Sequence, residues 1–317
     1  ALITDSAGVQ NLSWYLDLLS GDKDSLKSPE KVSVSINRIN LDSARFSLIN
    51  RRGDSSRMMI DFNDLKLAGI KGTVYDFRVE NDSVCMTING LNFRESNGFV
   101  VNNLDTRMMI ARSDIVFKDI SLTCDSSIIN ADIVGLYPDT SGSFGKFTRE
   151  VRLDIKLGGS LVSSRDLKYF VPVLKDYDEA VAVSGNVSGY IDELKGRNIQ
   201  ISYRDKTNAD VDFDLSGLSE IEDAFIYLGV NDLNASISDI EKIRLPSGKR
   251  IVIPEMLARL GKISFDGNFT GFTTDFVTYG SIRTDLGSVR TDVSFRPEGK
   301  STFRIKGLIA GQSIDLG

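Results

Sequence analysis

From Val32 onward the chain alternates apolar and polar residues with a period of two, and this constrains the fold more than any other feature. Gly261 to Phe295 is the clearest stretch. Ile263, Phe265, Gly267, Phe269 and Gly271 fall on one face of a first strand. Phe276, Thr278, Gly280, Ile282 and Thr284 do so on a second, and Val289, Thr291, Val293 and Phe295 on a third. A fourth strand carries Phe303, Ile305 and Gly307 against Thr302, Arg304 and Lys306. Period two means one apolar and one wet face per strand, and short turns between strands mean antiparallel neighbours.

The same rhythm runs upstream. Val32-Val34-Ile36, Phe46-Leu48, Ile60-Phe62, Leu65-Leu67, Phe77-Val79, Val84-Met86-Ile88, Leu91-Phe93, Phe99-Val101, Met108-Ile110, Ile115-Phe117 and Ile120-Leu122 read as short strands. Turn signals at Asn81-Asp82, Asn89-Gly90, Ser96-Asn97-Gly98 and Pro138-Asp139 separate them, as in an all-β meander. The units Phe62-Asn63-Asp64-Leu65 and Phe117-Lys118-Asp119-Ile120 echo one another without a fixed period.

Helical signals are few. Leu12, Tyr15, Leu16 and Leu19 have helical spacing, with Gly21 as the stop, and predict a short N-terminal helix beside Trp14. Ser163 and Asp166 have capping-box spacing. Leu167, Phe170, Val171 and Leu174 then keep helical spacing, which Pro172 breaks into two short pieces. Ser219-x-x-Glu222 and Ser238-x-x-Glu241 predict single turns, and Pro254–Leu260, closed by Gly261, a short helix. The chain divides into 1–30 (helix and linker), 31–160 and 161–317, the last two strand-rich.

Such helices are too few to cover one face of a sheet this large, and leaving that face wet costs roughly 25 cal/mol per Å². Either the sheet closes on itself as a sandwich or barrel, or it curls into a trough that holds something apolar. Glycines 267, 271 and 280 leave gaps along the apolar register and permit bending.

Composition removes several chemistries. The 317 residues include no histidine, so Ser-His-Asp and Cys-His nucleophiles and histidine metal sites are excluded. The net charge of −6, without a basic block, argues against nucleic acid. Cys85 and Cys124 sit in apolar runs and read as two buried hydrophobes rather than a disulfide. Gly299-Lys300-Ser301 lacks the upstream glycine of a phosphate loop and reads as a turn. Asp210, Asp212 and Asp214 share one strand face; a solvated outer face is the plainer reading than a cation site. Arg51-Arg52 reads as a charged loop rather than a lipid-headgroup contact. No carboxylate pair is marked by an aromatic cluster, which leaves a carboxylate hydrolase as the weakest reading.

Residues 260–272 (LGKISFDGNFTGF), Asp275-Phe276, 280–287 (GSIRTDLG), 166–172 (DLKYFVP), 183–189 (VSGNVSG) and the closing Ile314-Asp315-Leu316-Gly317 together resemble the TamB subgroup of the AsmA-like family, particularly its very long Bacteroidota versions. The likeness is a style spread over most of the chain and densest in 160–317. It implies an excised segment of a periplasmic protein tethered to the inner membrane by a part not present here. The implied fold is all-β, a long curled antiparallel sheet forming an open groove with a few short capping helices. The implied role is shielding phospholipid acyl chains between the inner and outer membranes, or supporting outer-membrane protein assembly with a barrel partner. No catalysis and no cofactor are implied.

The lining candidates are Ile263, Phe265, Phe269, Ile282, Val289, Val293, Phe295, Phe303 and Ile305. An acyl chain offers no hydrogen-bonding group, so its site needs only a continuous apolar stripe. The residues alone favour closed-core packing, and the resemblance reverses that preference toward the groove. The alternative from another class is a secreted or surface β-sandwich that binds glycans or proteins.

Overall fold

The computed structural model describes residues 2–4, 33–50, 59–80, 83–111, 113–140, 143, 147–204, 206–218, 224–242, 261–272, 274–298 and 302–312. The helices expected at 11–20, 219–222 and 254–260, the Arg51-Arg52 and Gly299-Lys300-Ser301 turns, and residues 314–317 lie outside them.

The fold is all-β, with no strand pairing among the described residues that closes the sheet, and with helical pieces of four or five residues. It divides into two compact units.

The first unit comprises Ala1–Tyr137 and Val162–Glu179. It holds β1 (Leu2–Thr4), β2 (Val34–Asn50), β3 (Asp64–Glu80), β4 (Ser83–Glu95), β5 (Val100–Ile110), β6 (Ile115–Cys124) and β7 (Ile128–Pro138). β1 runs parallel to β2, and β2 to β7 pair antiparallel in sequence order. The register lines up Val84, Ile110, Ile115 and Leu136 in one cross-strand row, and Met86, Met108, Phe117 and Val134 in the next. Over the β4–β5 turn sits the segment after Ser163. Phe99 packs edge-on against Tyr169 and Phe170, with centroids 5.6 and 5.2 Å away.

The strands are longer than the sequence suggests. Asn89-Gly90 is not a hairpin turn: β4 runs straight through it, and the Gly90 N–H donates to Asp105 Oδ1 at 2.7 Å. Ile60-Phe62 forms a bend and turn, not a strand. The two echoed units also differ: Asn63-Asp64 opens β3, whereas Asp119 sits at a bulge within β6 with φ +52°. Bulges of this kind bend a strand and increase its twist without ending it.

The second unit comprises Pro138–Leu161 and Ala180–Gly317. It includes most of β8 (Val151–Ser163) and all of β9 (Ala180–Tyr190), β10 (Glu193–Tyr203), β11 (Thr207–Ser216), β12 (Phe225–Ser236), β13 (Lys262–Gly271), β14 (Phe276–Thr284), β15 (Gly287–Pro297) and β16 (Phe303–Gln312). β9 to β16 pair antiparallel in sequence order within one sheet. The registers slip between β9 and β13 and are unbroken from β13 to β16.

Of the three four-residue helices, Phe147–Glu150, Ser164–Leu167 and Ile237–Ile240, the last two start on a serine cap. Ser163 caps Ser164–Leu167, accepting from the Arg165 N–H at 3.2 Å, and a 3-10 turn follows at Pro172–Asp176, so Pro172 does split the region. In the second unit the cap is Ser236, not Ser238: its hydroxyl accepts from the Asp239 N–H at 3.2 Å, and the helix is Ile237–Ile240. Ser236-x-x-Asp239 is the spacing that satisfies the free amides of the first turn.

Candidate apolar face

The unbroken register of β13–β16 turns four separate alternations into continuous rows. Phe265 pairs with Ile282, and Ile282 with Val289. One row further, Phe269 pairs with Thr278, and Thr278 with Val293. At the end of the strands Phe276 pairs with Phe295, and Phe295 with Ile305. Ile263, opposite Thr284, completes the face at the other end.

Eight of the nine lining candidates therefore share one side of one sheet. Ile263, Phe265, Phe269, Ile282, Val289, Val293 and Phe295 are half-buried, whereas Ile305, on the outermost strand, is 64% exposed. Phe303 belongs to β16 opposite Pro297, and its side chain lies outside the described residues. Half-burial is what side-by-side neighbours in one sheet provide when no second layer presses on them.

The aromatic side chains interlock along the face. Phe276 stacks on Phe295 at 5.1 Å between centroids and lies tilted against Phe269 at 4.7 Å. Between the rows stand paired glycines, Gly267 opposite Gly280. The Phe265 ring covers them: a Cβ on Gly280 would lie 2.6 Å from Phe265 Cε2. An aromatic ring laid over a cross-strand glycine restores the packing that the missing side chain gives up. β10 and β11 repeat the device, with the Phe213 ring on Gly196.

The face extends beyond the nine candidates. Leu228 pairs with Phe269, and Leu233 with Phe265. Behind them, Phe213 pairs with Leu228, and Val211 with Val230. Strict alternation loses Leu233 because the register slips between Val230 and Leu233, so the apolar positions change phase there.

The opposite face carries the charge. Arg283 Nη1 lies 2.9 Å from Asp266 Oδ1, and Arg296 Nε lies 3.5 Å from Asp275 Oδ1. The three carboxylates in alternation are each used by a neighbour. Asp210 accepts from Asn231 Nδ2 at 3.1 Å, Asp212 from the Asn198 N–H at 2.7 Å, and Asp214 pairs with Arg197 at 2.7 Å. No group of metal-ligating side chains occurs among the described residues.

The cysteines are not a matched pair. Both are free; Cys124 is buried, but Cys85 is exposed, contrary to the reading of both as core residues. Cys85 falls between Val84 and Met86, so it takes the other face, opposite Arg78 and Met109. Burial, with Asp166 and Asp125 adding to it, pushes the Cys124 thiol from 9.0 up to about 12.

Compared with known proteins, the chain matches no family model, no curated protein and no solved structure.

Proposed function

We propose that the chain is a segment of a periplasmic TamB/AsmA-like protein whose apolar sheet face shields phospholipid acyl chains between the inner and outer membranes. On this reading it is a carrier surface and not an enzyme. Support for outer-membrane protein assembly would come through parts of the protein outside this chain.

One observation carries the reading. The apolar rows of β13–β16 are continuous, carry no titratable side chain and are half-buried up to the exposed outermost strand, and the described strands of the unit all belong to one sheet. An acyl chain needs that kind of surface, because it gains from leaving water and demands no polar partner.

The test is displacement. A fluorescent fatty-acid probe is bound to the purified chain and competed with phosphatidylethanolamine vesicles. Saturable binding that phospholipid displaces, lost in Phe265→Asp and Phe295→Asp variants that keep β-type circular dichroism, is the expected result. Binding unchanged by either substitution contradicts the proposal, and loss of folding in both places these rings in a closed core instead.

A further inference from the structure

The charged side of β13–β16 also contains a built hollow. Its register gives two adjacent rows: Asp266, Ser281, Arg290 and Ala310, then Asn268, Tyr279, Asp292 and Leu308. The short side chain of Ser281 stands among long ones, and around it lies a hollow of about 520 Å³, open to solvent. That volume lies within the roughly 300–1,000 Å³ typical of small-molecule sites. Gly267 and Gly280 add backbone to its lining, having no side chain on the far face to thicken the sheet.

The chemistry of the rim is specific. Tyr279 is 55% exposed, and its hydroxyl accepts from Asn268 Nδ2 at 2.6 Å, which fixes the ring in place. Asp266 is tied to Arg283, while the side chains of Arg290 and Asp292 make no hydrogen bond or ion pair among the described residues. Two carboxylates and two guanidinium groups face the hollow, so its formal charge is balanced. A balanced site has no net attraction for phosphate or for a metal cation. It does offer an aromatic face, a donor fork at Arg290, an acceptor at Asp292 and a hydroxyl at Ser281 that serves as either.

The geometry points to a neutral pyranose ring, a glycan unit, as the ligand of this hollow. One face of a pyranose is a patch of C–H groups carrying slight positive charge, which suits the negative face of the Tyr279 ring. Its perimeter is hydroxyls, each donor and acceptor, which Arg290, Asp292 and Ser281 complement. The site lies on the opposite side of the sheet from Phe265 and is independent of lipid binding.

Saturation-transfer-difference NMR of the whole 317-residue chain with chitotetraose, cellotetraose and maltotetraose tests this. At least one tetrasaccharide should show transfer to its ring C–H protons, and Tyr279→Ser should weaken binding roughly tenfold. Arg290→Gln, also an exposed position, should weaken it as well. Absence of transfer to all three sugars, or transfer that Tyr279→Ser leaves unchanged, overturns the inference. So does binding of inorganic phosphate, seen by phosphorus NMR and lost in Arg290→Gln, in the absence of sugar binding.

Discussion

The Phe265 ring lies over Gly280, one strand away, so closely that an added Cβ would sit 2.6 Å from the ring edge. The two residues depend on one another: the glycine makes room for the ring, and the ring covers the backbone the glycine leaves bare. Gly280→Ala is expected to destabilise the chain by about 1–3 kcal/mol, because backbone as well as the ring would have to shift. Urea denaturation checks the magnitude, and fluorescent-probe binding should weaken in parallel as Phe265 is displaced.

Asn198 is the bulged residue of β10, with φ +52°, and its N–H donates to Asp212 Oδ1. Asn198→Gly should be nearly neutral, since glycine accepts that conformation. Asn198→Val should cost about 1–3 kcal/mol, because a β-branched residue resists it. Equal midpoints for the two variants in urea would show that this bulge is not under conformational constraint.

The buried Asp166 carboxylate accepts from the Ser126 N–H at 3.0 Å, tying the turn after β8 to the β6–β7 hairpin. In the second unit, buried Asp239 accepts from Thr207 Oγ1 at 3.0 Å. Asp166→Ala should cost about 1–2 kcal/mol by leaving the part-buried Ser126 amide unpaired, and Asp166→Asn, which keeps an acceptor, markedly less. Thermal denaturation of the pair separates a hydrogen-bond role from simple space filling.

Cys124 and Cys85 should react differently. At pH 8 iodoacetamide is expected to label Cys85 in the native chain and Cys124 only in urea, read as mass increments. The raised Cys124 pKa also sets a direction for stability. Below pH 9 the thiol is neutral whether folded or unfolded, and the contribution is fully present. Between 9 and about 12 the unfolded chain ionises while the folded one does not, so stability falls as pH rises. Cys124→Ala should flatten that part of the pH profile.

Fold class and the face of β13–β16 were legible because the register there is unbroken and alternation maps directly onto rows. Strand lengths were not. Asn89-Gly90 and Lys118-Asp119 look like ends of strands, yet both are passed through: local backbone kinks held by Asp105 and by the neighbouring ladder stand where turns were expected. For the same reason Leu233 was missed, since the slip beside Val230 shifts it out of phase. Cys85 was misjudged because an apolar neighbourhood in sequence does not tell which of two alternating faces a residue takes. The hollow at Tyr279 was not visible, because it arises from short and long side chains on different strands.

The most direct test of the central claim is mass spectrometry of an organic extract of the purified chain, expressed in a Gram-negative host and washed free of membranes. The account predicts glycerophospholipid bound to the wild-type chain and lost from folded Phe265→Asp. An extract free of phospholipid, from a chain whose circular dichroism shows the intact β-fold, would contradict it.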